Sequence, residues 1–286
     1  MTHLPLFGYL SVPAISQGDA SPYITHMSDD SRFIQALQSQ VGEWQLEISE
    51  TSIALMLDHW QSMCHANQAM NLTRITAPVD AAVKHYADSL VLMAAGPSAP
   101  VGGQALLDIG TGAGFPAVPL SVACPDLSVY AIDSRGKKIG FLADWLARVR
   151  IEKERCVGSY GEDGTNNAVE PVGAGNVSLS GRPERDTGIP ADLMALNAIH
   201  AHSEHWDAER VFDRVVMRAV SPDRALRYAE PHVSRDGIVV IYSTPKASPF
   251  DASRFGLRPA GCFDYTLRID DELIPRRLLF FSRAHS

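Results

Sequence analysis

Cysteine is scarce: Cys64, Cys124, Cys156 and Cys262 are the only four in 286 residues, and no two form a C-x-x-C pair. That scatter argues against a disulfide framework or a cysteine-held zinc site, and the thiols are expected to be reduced and mostly buried. Long apolar runs are missing too, so no segment is expected to span a bilayer and no membrane partner is expected. The opening residues, MTHLPLFGYLSVPAISQGD, lack a basic segment and are broken by proline, which makes a poor secretion signal and leaves the cytoplasm as the expected compartment. A surplus of positive charge is absent as well. The net charge of −8 weighs against a polyanion as partner while leaving local basic patches open. No Ser–His nucleophile pair, carboxylate dyad or metal cluster stands out. His200, His202 and His205 lie near Asp207, but their i, i+2, i+5 spacing does not bring all three to one helical face, and no metal is expected.

What the chain does have is a glycine turn between two apolar runs, ALLDIGTGAGFPAVPL from Ala105 to Leu120. Ala105 to Ile109 reads as a buried strand, Gly110, Gly112 and Gly114 form the turn, and the residues from Phe115 can open a helix. Glycines allow positive φ and close approach of another molecule, and a helix N-terminus offers free N–H groups. Strand, glycine turn and helix in this order mark the first β–α unit of a doubly wound sheet, where nucleotide-like ligands bind. The plainer alternative is a tight turn with no ligand.

The rest of the chain is organised around that unit. Residues 1–30 read as a loosely held extension. Residues 31–95 read as a helical part, with one apolar face from Phe33 to Val41, a second from Ile53 to Cys64, a break at Asn71-Leu72-Thr73-Arg74, and a third helix from Pro78 to about Met93. A further domain is expected over 104–286. Its second strand runs from Ser128 to Ile132 and ends at Asp133, followed by a helix with Ile139, Leu142, Trp145, Leu146 and Val149 on its apolar stripe. Glu152 to Gly175 reads as a surface insertion, Asn176–Ser180 as the third strand, and Ala191–Arg210 as a helix. Later strands are expected at Val211–Met217, Gly237–Tyr242, near Cys262–Arg268 and at Leu278–Ser282.

Glycine spacing separates the cofactor classes. A dinucleotide fingerprint needs G-x-G-x-x-G, whereas here Gly114 comes one residue early and Phe115 holds the third position. G-x-G-x-G after an LLD strand is the pattern of class I S-adenosylmethionine-dependent methyltransferases. Asp133, 19 residues beyond Gly114, is placed to accept hydrogen bonds from both hydroxyls of a ribose; capping the next helix is the other reading of the same carboxylate.

The motifs NLTRI at Asn71, HYADSL at His85, LLDIGTGAGFPAVPL, IDSRGKKIGFL at Ile132, NVSLSGRPE and FDRVVMRAV at Phe212 occur in an order that resembles the bacterial small-subunit ribosomal RNA (guanine-N7) methyltransferases, the glucose-inhibited division protein B family. The resemblance covers roughly residues 32 to 282. It implies an α/β, Rossmann-like class I methyltransferase with a mostly parallel seven-stranded sheet, helices on both faces and an N-terminal helical extension. It also implies S-adenosylmethionine as cofactor and 16S ribosomal RNA or the small subunit as partner, with the protein expected as a monomer.

By that resemblance, Gly110, Gly112, Gly114 and Phe115 would line the methionine and adenosine portions of the cofactor and Asp133 would hold its ribose. Pro183 and Glu184 would contact the adenine, with Glu162 as the alternative if the insertion is aligned differently. Arg218 would sit between cofactor and target base as the catalytic residue. Asn71, His85 and Asp88 match family motifs and read equally well as caps and fold-stabilising partners. Arg182, Lys246, Lys137 and Lys138 would contact RNA. Lys137 and Lys138 belong to a basic run with Arg135, Arg148 and Arg150 that reads equally as a solvated helix face; Arg276 and Arg277 are similar. The family's usual Lys-Gly after the fifth strand is here Thr244-Pro245-Lys246-Ala247, and Ala117 replaces an expected glycine. Guanine N7 has an in-plane lone pair and no proton, so its methylation needs positioning rather than a base. The other readings of the chain are a small-molecule methyltransferase and a non-catalytic, cofactor-binding RNA or ribosome module.

Overall fold

The computed structural model describes residues 27–158, 195–202, 206, 211–246 and 251–284. The helical layer comes first. α1 (Asp29–Glu43) starts where the Ser28 hydroxyl accepts the Ser31 N–H, and α2 (Glu50–Met70) where Ser49 does the same for Ser52. Each serine satisfies one of the N–H groups that a helix start leaves unpaired. α2 ends at Asn71, in the left-handed conformation at φ +50°, which asparagine tolerates better than most residues. Pro78 then opens α3 (Pro78–Ala81), which runs without a break through a π-helical turn (Ala82–Ala87), α4 (Asp88–Leu90) and a 3-10 turn (Val91–Ala94).

The sheet follows as β1 (Ala105–Ile109), α5 (Ala117–Ala123), β2 (Ser128–Asp133), α6 (Gly136–Gly158), β3 (Leu196–His200), β4 (Phe212–Arg218), α7 (Pro222–Ala229), β5 (Val233–Ser243), β6 (Leu257–Ile269) and β7 (Glu272–Arg283). The strands lie in the order β3-β2-β1-β4-β5-β7-β6. The first five are parallel, while β7 is antiparallel to both β5 and β6. This is the seven-stranded sheet of the class I methyltransferase fold, and its strand order reverses direction between β1 and β4. Ligands bind outside the carboxyl ends of the strands at such a point.

Side chains alternate between two cores. Leu106, Val129, Val216 and Val240 face α5, α6 and the helical layer, where they share one apolar cluster with Phe33, Leu37, Met56 and Tyr86. Ala105, Leu107, Ile109, Val215, Met217 and Val239 face the other way, onto Ala225, Leu226 and Ala229 of α7. The helical layer is therefore built into the principal core.

Three expectations need correction. The strand paired with β2 is Leu196–His200, inside the segment read as a helix over 191–210. The Ala- and Leu-rich residues before it favour helix, but parallel pairing with β2 outweighs that weak local preference. Asn176–Ser180 lies outside the described residues, as do Glu162, Arg182, Pro183 and Glu184. α6 continues to Gly158, so the start of the expected insertion is helical. The thiols are also less buried than expected: Cys64 and Cys124 are half-buried and Cys262 is exposed, all three free.

The β6–β7 hairpin is fastened to α1 by Gln40 and by an Arg268–Glu43 ion pair at 3.0 Å. Gln40, 2% exposed, accepts the Arg268 N–H at 2.7 Å and donates to the Thr266 carbonyl at 3.3 Å, as a neighbouring strand would. Replacing it leaves buried backbone groups unpaired, at about 1–3 kcal/mol. Gln40→Leu is expected to lower the unfolding free energy by that amount in denaturant titration, and Gln40→Glu is expected to be no milder, because a buried carboxylate would face the Thr266 carbonyl and Glu43.

Candidate active site

The carboxyl ends of β1, β2 and β4 meet at the glycine turn. Ile132 of β2 accepts the N–H groups of both Gly110 (2.8 Å) and Thr111 (3.0 Å), which folds the turn back over the sheet. Gly110, Gly112 and Gly114 have φ of +79°, +64° and +111°, a region in which side chains are strained. Their surroundings differ. A Cβ on Gly114 would stand 2.6 Å from Val118 Cγ2, so this glycine lets α5 pack closely. A Cβ on Gly110 would meet nothing within 4 Å, and one on Gly112 only Lys138 Nζ at 3.5 Å. The turn thus presents open backbone on one side and is packed on the other.

Two carboxylates flank it. Asp133 Oδ2 accepts the Gly112 N–H at 2.9 Å and Oδ1 accepts the Arg135 N–H at 2.8 Å, just before α6. Asp133 thus turns the chain ahead of α6 without capping it, since α6 starts at Gly136 and neither N–H belongs to its first turn, and each oxygen keeps a further lone pair for a hydroxyl. Asp108, 1% exposed, uses Oδ2 to accept the Ala117 N–H. Its Oδ1 and the buried Thr111 hydroxyl make no well-formed hydrogen bond among the described residues. Burial pushes the Asp108 carboxyl up to about 7, against the opposing pull of the Thr111 hydroxyl, the Ala117 N–H and Arg218. Unpartnered buried oxygens beside an open glycine turn fit the polar amino-acid end of a ligand.

Behind the turn stands His59, fully buried on α2. Its Nε2 lies 2.9 Å from the Ala113 carbonyl, which can only accept, so Nε2 carries the proton. Nδ1 then accepts from the Tyr86 hydroxyl at 2.7 Å. Burial holds this imidazole neutral, with its pKa lowered to about 4. Phe115 does not face an open cleft. Its ring is stacked on His85 (centroids 4.6 Å, planes 16° apart) and met edge-on by Tyr86 and His59.

Arg218 ends β4, beside the turn, and is 18% exposed. Nη1 pairs with Asp88 Oδ2 at 3.3 Å and donates to the His85 carbonyl (3.3 Å) and the Ser89 hydroxyl (3.4 Å), while Nη2 donates to His85 Nδ1 at 2.9 Å. Asp88 is steadied in turn by the Tyr265 hydroxyl at 2.8 Å. The guanidinium lies 5.7 Å from the Phe115 ring centroid. The residue after it, Ala219, has φ +58°, a strained value for alanine that turns the chain sharply away from the sheet. His85 and Asp88, which the motif flagged without a duty, both hold Arg218. Asn71 serves as the C-cap of α2. His59, Thr73, Asp108 and Tyr265 went unmarked in the sequence; the one available signal was His59 standing on the apolar face of its helix.

The model for rRNA small subunit methyltransferase G, GidB, matches residues 52–170. A ribosomal RNA small subunit methyltransferase G from Lactobacillus johnsonii is 31% identical over 233 residues, covering 77% of this chain and 96% of its own. The chain belongs to the ribosomal RNA small subunit methyltransferase G family. The methyltransferase G of Anaeromyxobacter dehalogenans is 35% identical over 178 residues, 62% of this chain and 71% of its own. Among solved structures, a TehB-like SAM-dependent methyltransferase from Corynebacterium glutamicum aligns over 78% of this chain and 98% of its own, at 14% identity and a TM-score of 0.43.

Of the positions assigned to RNA by resemblance to methyltransferase G, Lys137 is exposed and donates to the Met70 carbonyl at 2.7 Å, closing the end of α2. Lys138 is half-buried at Gly112, its pKa lowered chiefly by burial. Lys246 is exposed past the end of β5, at the same end of the sheet as Arg218. Arg148 pairs with Asp58, and Arg277 with Asp264. In this member of the family the structure brings together the glycine turn, Asp133 and Arg218. Among the described residues no group of three or more His, Cys, Asp or Glu is placed to hold a metal, and no helix is long and apolar enough to cross a membrane.

The neutral His59 makes stability pH-dependent. Its folded pKa lies below the ordinary 6.5, so the native state takes up the proton later than the unfolded chain does. Stability is then full above pH 6.5 and falls as pH drops toward 4, by about 3 kcal/mol from this residue. Denaturant titration at pH 7 and pH 4 should show a smaller acid loss in His59→Gln, whose amide can still donate to Ala113.

Proposed function

We propose that this protein transfers the methyl group of S-adenosylmethionine to N7 of a guanine in small-subunit (16S) ribosomal RNA. The observation that carries the reading is Arg218. It emerges beside the glycine turn, and its Nε–H and one Nη2–H have no partner among the described residues. Those two donors are free for a guanine O6 or a phosphate, leaving N7 unobstructed. The usual bidentate arginine contact would instead block N7.

S-adenosylmethionine supplies an electrophilic sulfonium methyl. The chain would hold the ammonium of its methionine part with Asp108 and Thr111, admit the rest along the open side of Gly110 and Gly112, and take the ribose hydroxyls on the spare lone pairs of Asp133. The adenine end would fall toward β3, whose last residue, His200, pairs in register with Asp133. Ala201 and His202 follow that strand, whereas Pro183 and Glu184 precede it in the chain. Neither His59 nor His85 is free to act as a base, because both ring nitrogens of each are hydrogen-bonded. An acceptor atom that carries no proton suits such a site. Catalysis would rest on alignment of N7 with the methyl carbon, and the base would have to leave its stack or come from an open loop. Lys138 and Lys246 would meet phosphates around it.

The direct test is methyl transfer to small subunits, and to naked 16S RNA, from cells lacking the gene, with the modified nucleotide mapped. One methylated guanine is the expected result. Labelling of a metabolite extract but not of RNA would replace the acceptor, and cofactor binding without any turnover would make the protein a binding module. Asp133→Ala should weaken cofactor binding about tenfold or more, from the loss of hydrogen bonds to a charged acceptor. Arg218→Ala should chiefly lower kcat, by about a hundredfold.

Asp108 adds a pH signature. An ammonium beside it favours the carboxylate, so binding releases the proton that burial retains up to about pH 7. Cofactor affinity measured by calorimetry should rise with pH from 6 to 8, falling about tenfold per unit well below 7. Asp108→Asn should flatten that profile.

A further inference from the structure

We propose that His85 is a positioning residue for methyl transfer, its Nδ1 setting the direction in which Arg218 presents its two remaining N–H groups to the target base. The inference rests on the role given to Arg218 above. An arginine only donates, so the 2.9 Å contact with Arg218 Nη2 requires an unprotonated Nδ1. The single ring proton therefore sits on Nε2 and is given to the Thr73 hydroxyl at 2.9 Å. Thr73 is itself fixed: its N–H is held by Asn67 Oδ1 at 2.9 Å, and its hydroxyl also accepts the Ile75 N–H at 3.0 Å. With the ring stacked on Phe115, every degree of freedom of the imidazole is constrained. Burial and the adjacent Arg218 lower its pKa to about 3, so it remains an acceptor at neutral pH.

The two ends of the guanidinium are held unequally. Nη1 has three partners, in Asp88 Oδ2, the His85 carbonyl and the Ser89 hydroxyl, all at 3.3–3.4 Å. Nη2 has one among the described residues, His85 Nδ1, and it is the shortest of the four contacts. Without that acceptor Arg218 stays tethered through Nη1 but pivots about it, moving the donors meant for the base. His85, Asp88 and Ser89 stand at i, i+3 and i+4, a spacing that brings all three to one guanidinium.

The test compares His85→Asn, which keeps a side-chain acceptor near the place of Nδ1, with His85→Phe, which keeps only the stacking surface. Steady-state methylation of unmodified small subunits is measured alongside cofactor affinity by calorimetry. The expected result is a kcat lowered about tenfold or more in His85→Phe and several-fold less in His85→Asn, with KM and cofactor affinity within about threefold of wild type. In an Arg218→Ala background, His85→Phe should cost nothing further. Equal kcat in the Asn and Phe variants, wild-type kcat in His85→Phe, or a full additional loss on top of Arg218→Ala would each overturn the inference. If Arg218→Ala itself retains wild-type kcat, the role of Arg218 fails first, and the two failures are told apart. Should His85→Phe not fold, Thr73→Val removes the hydroxyl that fixes the tautomer and is expected to lower kcat, with Thr73→Ser near wild type; an unchanged rate in Thr73→Val counts against the proposal.

Discussion

The hydrogen bond from His59 Nε2–H to the Ala113 carbonyl ties α2 to the glycine turn through a group that must stay uncharged. The imidazole is enclosed by Phe115, Phe141, Trp145 and Tyr86, where a cation has no water to solvate it. From the opposite side, Ile132 holds Gly110 and Thr111, and Asp133 holds Gly112. Three consecutive residues of the turn are thus anchored by the sheet and the fourth, Ala113, by the helical layer. A turn fixed by its own protein does not have to be ordered by its ligand, which keeps more of the contact energy available for binding.

The helical layer is more than a support. It supplies His85, Asp88 and Ser89 to Arg218, while the sheet supplies Tyr265 to Asp88 from the far β6–β7 hairpin. The hairpin is in turn seated on α1 by Gln40. Helix and hairpin close around the end of β4, so Arg218 sits where the two halves of the chain meet. A net charge of −8 is compatible with an anionic partner, since Arg218 and Lys246 stand as local cations at one end of the sheet.

The parallel centre of the sheet was legible because buried strands read as short apolar runs: β1, β2 and β4 fall within a residue of expectation. β3 was not legible. It is a five-residue edge strand containing Asn197 and His200, preceded by helix-favouring residues, and only its pairing with β2 makes it a strand. β6 and β7 extend beyond their expected bounds because arginines, among them Arg258, Arg268 and Arg276, interrupt the apolar pattern toward their ends. In the site, Asp133 and Arg218 could be read because each closes a strand beside a motif. The partners that define them could not. Tyr265 reaches Asp88 across 177 residues and His85 reaches Arg218 across 133, distances at which local pattern carries no information. Asp133 holds the backbone at Gly112 and Arg135, and its remaining lone pairs leave the proposed ribose contact open.

The π-helical turn at Ala82–Ala87 amounts to one residue more than an α-helix of the same rise would hold. Side chains beyond it are rotated by about 100° relative to an uninterrupted helix. The face of Pro78–Ala81 that packs beside α1 and the face of Asp88–Leu90 that meets Arg218 are thereby uncoupled, each free to satisfy its own neighbours. A single-residue deletion in that turn would keep the helix and every residue type after it, yet swing Asp88 and Ser89 away from the guanidinium. The spare residue works as an angular spacer, and the setting of one guanidinium is written partly in the length of a helix.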